Sequence, residues 1–451
     1  MSIKHCFTGA VIAAVVLLMG CVAEQPEPPA KESPVQELVV LTPHHEGIRL
    51  AFELGFRDWH MRTHNKEVSI RWLVYGTPQC MKYVEDCYTS SGELAPSFMP
   101  DVVFGGSMRD HLSLQSRGWT LPMELPARDD VPETIADVPT ACPDGSCVAT
   151  GLSTFGMLVN TQACSERGIA PPTSWEDLAD SRFFGWLAVA DPGKSGTSRE
   201  CLMLILQKHG WKKGWSIIMR ILGNARTLVG RSGVALNQVE SGESLATFAI
   251  NFDAMARADG SSYQLSYVEP AGATEISPDG ASALSASRNP KVAQAFVNFL
   301  VSERGQQILG LRSDYLSLNS PTLYHYPISQ SIYEEDRERL AVPGNPLLAS
   351  AMLDTDEVTS VAQHRVMPML IRAACGGQHI QLQRIWEAML AKGAPGTMTA
   401  VLFQPPATED EIKGMADQLP KARLDEMEQM QAGLIAKMRE VYDQTAKMVG
   451  M

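Results

Sequence analysis

Residues 38–59 read LVVLTPHHEGIRLAFELGFRDW, and the change of period inside this stretch decides the fold class. Leu38-Val39-Val40-Leu41 is a short apolar run stopped by Thr42-Pro43, which predicts a buried strand. Beyond it the large apolar residues Ile48, Leu50, Ala51, Leu54, Phe56 and Trp59 recur at mostly helical spacing. A polar loop, Thr42 to Glu46, joins the two. The same order repeats downstream. Val68 to Val74 predicts a second strand ending in Tyr75-Gly76-Thr77-Pro78, and Asp101-Val102-Val103-Phe104-Gly105-Gly106-Ser107 a third. Strand–helix alternation predicts an α/β fold with a mainly parallel sheet covered by helices on both faces. Ligands of such sheets gather at the carboxyl ends of the strands, so the loops 42–46, 76–77 and 105–107 are the places to look for a site.

Working outward, a Cys- and Pro-rich stretch (120–148) separates this unit from a second one. There Leu152 to Asn160, Trp186 to Ala190, Ala246 to Phe252 and Leu265 to Val268 read as strands. Asp191-Pro192-Gly193-Lys194-Ser195-Gly196-Thr197 follows the second of these, ahead of a helix carrying Leu202, Leu204, Ile205 and Leu206. Residues 290–310 read as one long amphipathic helix. From about 346 the pattern is helical and Met-rich with no strand signal, and the tail 410–451 reads as an amphipathic helix packed on the rest or as a docking surface. No internal repeat is present.

Towards the N-terminus, Lys4 and His5 precede an apolar run from Phe7 to Met19, closed by Gly20-Cys21. That run is shorter than the roughly 20 residues a spanning helix needs. A basic start, a short apolar stretch and a small residue before the cut describe a signal peptide. Residues 22–36 contain three Glu and four Pro with almost nothing large and apolar, the composition of a flexible tether. The remaining chain, about 415 residues, exceeds a single hydrophobic core. A net charge of −13 argues against a nucleic-acid partner, which demands a basic surface. The nine Cys are compatible with an oxidising compartment. Cys80 with Cys87, and Cys142 with Cys147, are close enough in sequence to close small disulfide loops. A four-Cys zinc site is the alternative, although the spacings match the usual tight pairs poorly.

Several ordered pieces resemble a known family. They are Thr42-Pro43-His44-His45-Glu46, Pro100 to Gly106, Ser174-Trp175-Glu176-Asp177-Leu178, Ala190 to Thr197, Tyr267 to Thr274, and Ala293 to Leu300 ahead of Ser302-Glu303-Arg304-Gly305-Gln306. Over about 38–335 the chain resembles type II extracellular solute-binding proteins of ABC importers, in the branch of ferric-iron and phosphorylated-solute receptors, and Cys21 sits in what resembles a lipobox. The resemblance implies a two-lobed α/β fold of the periplasmic-binding-protein type with hinge crossovers, here with an extra helical C-terminal region. It divides the chain into a signal peptide (1–20), a tether (21–37), lobe one (38–145 and 276–345), lobe two (146–275) and a helical extension (346–451). It further implies a monomer lipidated at Cys21 in the cell envelope, on the periplasmic or extracytoplasmic face. Such a protein captures a small anionic solute in the interlobe cleft and passes it to the importer permease, with no cofactor and no catalysis.

The candidate ligand contacts are loop residues. Ser195, Gly196 and Thr197 start a helix after a strand, where hydroxyls, backbone N–H groups and the helix dipole favour an anion; simple capping is the alternative use. His44, His45 and Glu46 occupy the first strand–helix loop, and the resemblance makes His45 the counterpart of a ferric-ligating His. Thr77 and Ser107 from lobe one, and Thr154, Arg231, Ser232, Asn251 and Asp253 from lobe two, complete the set. Ferric relatives use two adjacent Tyr where this chain has Ile250-Asn251-Phe252-Asp253, which weighs against iron but leaves another metal open. Gly193-Lys194-Ser195 lacks the earlier Gly of a P-loop, His60 and His64 lack the Glu of a zinc protease, and no nucleophile elbow occurs. A cell-envelope enzyme or a sensory lipoprotein on the same scaffold remain the readings from other classes.

Overall fold

In the computed structural model, which describes residues 35–90, 98–348, 353, 357–419 and 423–451, the predicted first strand is β1 (Gln36–Thr42), three residues longer than its apolar run. It lies between β2 (Val68–Val74) and β3 (Val102–Ser107), parallel to both. The expected leader, the expected lipidation position Cys21 and the expected tether up to residue 34 lie outside the described residues. The helix that follows, α1 (Glu46–His64), buries Ile48, Ala51, Phe52, Gly55, Phe56 and His60. Leu50, expected inside, is exposed. The stripe Ile48–Phe52–Phe56 wins because it faces Phe104 and Phe299, whose ring centroids are 5.1 and 6.2 Å from that of Phe52.

β2 and β3 lead likewise into α2 (Thr77–Thr89) and α3 (Met108–Ser116). Cys80 and Cys87 both lie on α2 as free thiols, and no disulfide joins them. Seven residues of helix rise about 10 Å, beyond the Cα separation a disulfide tolerates. Cys142 and Cys147 are bonded to each other, just after a small hairpin of β4 (Thr134–Ile135) and β5 (Val138–Pro139). That bridge leads into β6 (Cys147–Asn160), fourteen residues buried throughout and five residues earlier than expected.

β6 organises the rest. Beyond it come α4 (Thr161–Glu166), α5 (Trp175–Leu178), β7 (Leu187–Ala190), α6 (Gly196–His209), α7 (Trp211–Asn224), β8 (Ala225–Val229), α8 (Ser232–Glu240), β9 (Ala246–Ile250), α9 (Asn251–Gly260) and β10 (Leu265–Val268). β11 (Ile276–Ala283) returns antiparallel between β3 and β6, and the strand order is β2-β1-β3-β11-β6-β9-β7-β8. The first half of β6 pairs with β11 and its second half with β9 and β10. β6 therefore passes from one half-sheet to the other, and the chain has the two-lobed α/β fold with a crossover between lobes. The predicted helix over 290–310 is two helices, α10 (Pro290–Leu300) and α11 (Glu303–Gly310), because Ser302 accepts the N–H of Gly305 and starts a new helix. β12 (Tyr326–Pro327) and α12 (Ser331–Glu335) follow.

Among the described residues five α-helices follow towards the C-terminus: α13 (Glu357–Cys375), α14 (His379–Ala391), α15 (Gly396–Leu402), α16 (Glu409–Gln418) and α17 (Leu424–Val449). Their apolar faces and those of α6 and α7 form one hydrophobic cluster. Polar ties cross the same boundary: Trp386 Nε1 donates to Asn224 Oδ1 at 2.9 Å and Trp211 Nε1 to the Ala407 carbonyl at 2.8 Å.

Candidate functional site: an interlobe cleft

In each half-sheet three parallel strands feed directly into helices, β1, β2 and β3 on one side and β7, β8 and β9 on the other. All six following helices, α1, α2, α3, α6, α8 and α9, begin at one cleft of about 640 Å³. Their N-cap residues are His45, Gly76, Ser107, Ser195, Arg231 and Ile250. Six first turns, whose leading N–H groups have no partner within the helix ladder, and six positive dipole ends thus meet at one space.

Contacts across the cleft fall into two groups. At one end the loop of Gly76 and Thr77 abuts Lys194 to Gly196: a Cβ on Gly76 would lie 2.1 Å from the Lys194 carbonyl oxygen, and one on Gly196 would lie 3.0 Å from Thr77 Oγ1. Beside them Arg199 stands 3.9 Å from Asp110 and 3.4 Å from Glu200. Ser107 caps α3, with its hydroxyl 2.9 Å from Asp110 Oδ2. Ser195 caps α6 by accepting the Ser198 N–H at 3.1 Å, and its Oγ is 2.6 Å from Ser232 Oγ. These serines are largely engaged in capping, whereas Thr77 and Thr197 line the cleft without a hydrogen bond of their side chains among the described residues.

At the other end His45 Nδ1 accepts the Gly47 N–H at 3.0 Å, so the imidazole hydrogen sits on Nε2, 3.5 Å from Asp253 Oδ1. Burial depresses the His45 pKa, against the opposing pull of Asp253. His44 is buried against Phe104, and its ring also lies over Gly105, whose φ of +97° and lack of a Cβ allow the approach. Burial, then the charges of His325, His45 and Arg49, holds His44 well below the usual imidazole range. Glu46 lies in the first turn of α1 and is exposed. On the floor, Asp279 accepts from His325 Nε2 at 2.9 Å and from Ser153.

The structure therefore brings His44, His45, Glu46, Thr77, Ser107, Ser195, Gly196, Thr197, Arg231, Ser232 and Asp253 to the cleft. Thr154 and Asn251 are corrections. Neither lines the cleft: Asn251 Oδ1 accepts the Thr154 N–H at 3.0 Å, and Thr154 Oγ1 is 3.1 Å from Tyr267 OH. The strand expected to run to Phe252 ends at Ile250, and the turn into α9 directs Asn251 into the interior. Arg49, Arg199, Arg257, Asp110 and Asp279 also line the cleft and were not among the candidates. Their signal was available at helical spacing: Arg49 is four residues after His45, Arg199 three after Gly196, and Arg257 four after Asp253. Among the described residues no three His, Cys, Asp or Glu converge as metal ligands.

Known proteins are similar to this chain in sequence and in fold. The chain resembles the phosphoglycerate transport regulatory protein PgtC of Salmonella typhimurium, 32% identical over 162 residues. It also resembles an uncharacterized protein of Haemophilus influenzae, 27% identical over 227 residues. The matched segments span 40% of the former and 64% of the latter, and 36% and 49% of this chain. The solved structure of the periplasmic binding protein AfuA from Actinobacillus pleuropneumoniae, with exogenous fructose-6-phosphate bound, superposes with a TM-score of 0.58 at 18% identity. That match covers 73% of this chain and 94% of AfuA, and it shows the shared two-lobed fold. The family profile of bacterial extracellular solute-binding proteins matches residues 99–336, more than half of the sequence. The chain belongs to that family, whose members are binding proteins and not enzymes.

Proposed function

We propose that the cleft captures a small anionic solute, which the chain delivers to the permease of an ABC importer while tethered outside the cytoplasm by a lipid on Cys21. The observation carrying the anionic reading is the convergence of six helix N-termini on one cleft. A protein of net charge −13 does not attract an anion through its overall field, so fixed local donors must do it, and helix starts supply them. The names of two similar proteins, one a phosphoglycerate transport regulator and one holding a sugar phosphate, support the same chemistry.

Calorimetric titration with phosphorylated sugars, carboxylates, polyamines and ferric complexes tests this reading. Thr197→Val keeps the shape but removes a cleft donor, and affinity for the bound anion is expected to fall about tenfold, since a hydrogen bond to a charged group is worth roughly 1.5–3 kcal/mol. Tight binding of a neutral or cationic solute, indifferent to Thr197→Val, would overturn it. The tether rests on the order of apolar run, Gly20, Cys21 and Pro-rich segment. No helix among the described residues is long and apolar enough to cross a membrane. Cys21→Ala is expected to move the protein from the membrane to the soluble fraction; unchanged membrane association would refute the anchor.

A further inference from the structure

The cleft's cations are not equivalent. Arg199 is paired with Glu200 and Asp110, Arg257 with Glu240 at 2.7 Å, and Lys194 with Asp191 at 3.6 Å. Arg49 is different. It lines the cleft from α1, one turn beyond His45, and its Nε is buried with no hydrogen-bond acceptor. The acid one turn further along α1, Glu53, accepts from Trp72 Nε1 at 2.8 Å instead, and the nearby Asp253 faces His45. Among the described residues no carboxylate forms an ion pair with Arg49. A half-buried guanidinium with an unsatisfied donor is costly in the empty protein, and that cost is relieved when an oxyanion docks on its Nε–Nη edge in the forked geometry guanidinium favours.

We propose that Arg49 binds a second acidic group of the solute, at the His45–Asp253 end of the cleft, while the first acidic group sits at the α6 start near Thr77 and Thr197. The preferred solute therefore carries two separated oxyanions, one for each of the two places where the lobes meet. This rests on the anionic reading above and sharpens it from one charge to two. The acids near the cleft agree with it: Asp110, Glu200 and Asp253 already face Arg199 or His45, so Arg49 is the half-buried cation left to the ligand, whereas Arg231 is exposed to solvent.

The test compares three probes on the mature full-length protein by calorimetry: phosphoglycerate with both acids, glycerol phosphate with the phosphate alone, and glycerate with the carboxylate alone. Wild type is expected to bind phosphoglycerate at least about tenfold more tightly than either one-acid probe, the worth of one charge-assisted pair. Arg49→Gln should erase that advantage and leave glycerol phosphate binding unchanged; Arg49→Lys should retain part of it. Thr197→Val should weaken both phosphate esters alike. Because Arg49 has no internal partner, Arg49→Gln should melt at or above the wild-type temperature, which an arginine with a structural role would not allow. Equal losses for the two esters, no loss for either, or a one-acid probe binding as tightly as phosphoglycerate would overturn the two-acid inference and leave the anionic reading standing. Failure of both esters to bind overturns the inference, and binding of a neutral solute in their place removes the anionic reading too.

Discussion

Glu275 shows how single residues tie the cleft to the stability of the fold. It is 6% exposed, just ahead of β11, and burial pushes its carboxyl from the ordinary range up to about 7, with the charge of Glu200 adding to the rise and Arg109 opposing it. A carboxyl whose folded pKa lies above its unfolded value holds its proton more tightly in the folded state, so it lowers stability as pH rises from about 4.5 to about 7. Glu275→Gln is therefore expected to raise the melting temperature at pH 8 and change it little at pH 4.5. Its ceiling is about 3 kcal/mol, at 1.36 kcal/mol per pKa unit. An equal gain at both pH values would show that packing, not ionisation, is responsible. His44 works in the opposite direction: burial holds its folded pKa below 6.5, so the unfolded chain takes up the proton first and stability falls as pH drops below that value.

At the scale of elements the informative piece is the junction between β2 and α2. Gly76 has φ −69° and ψ 156°, a conformation any residue adopts, so its lack of a side chain is not a local requirement. What excludes a side chain is the Lys194 carbonyl of the opposite lobe, 2.1 Å from where a Cβ would sit. Gly76→Ala should consequently leave the open, ligand-free protein intact and penalise only closure. The expected result is an unchanged melting temperature without ligand, solute affinity reduced about tenfold or more, and a radius of gyration that no longer contracts when ligand is added. Normal affinity with normal contraction would show that this contact is incidental. Five of the six strands that lead into the strand–helix junctions of the cleft were legible as apolar runs, as at 38–59, whereas β8 (Ala225–Val229), mostly unburied with Arg226 and Thr227 exposed, gave no such run. What stayed hidden depended on distant partners. The true stripe of α1 is chosen by Phe104 and Phe299, the early start of β6 by a disulfide-closed turn, and the inward turn of Asn251 by the amide of Thr154.

For the whole molecule the question is whether the last hundred residues are an appendage or part of the receptor. Their periodic apolar pattern shows that each helix hides a face, but amphipathicity alone does not say against what. The structure answers with one continuous core in which Trp175, Phe248 and Leu202 of the sheet-bearing part join Ile385, Met438 and Tyr442 of the extension. Trp386 is the keystone: its ring packs edge-on against Phe403 at 4.9 Å, its Cδ1 lies 3.1 Å from where a Cβ on Gly223 would sit, and its indole N–H is held by Asn224. An appendage would melt independently of the cleft, giving two transitions of which ligand shifts one. A shared core predicts that the extension and the second half-sheet unfold in a single calorimetric transition whose temperature rises with ligand. Trp386→Ala, which opens a cavity and leaves the Asn224 oxygen without its donor, should lower that ligand-sensitive transition by about 3–5 kcal/mol of stability. A Trp386→Ala protein whose ligand-dependent transition stays where it was would refute the shared core and return the extension to the role of an independent module.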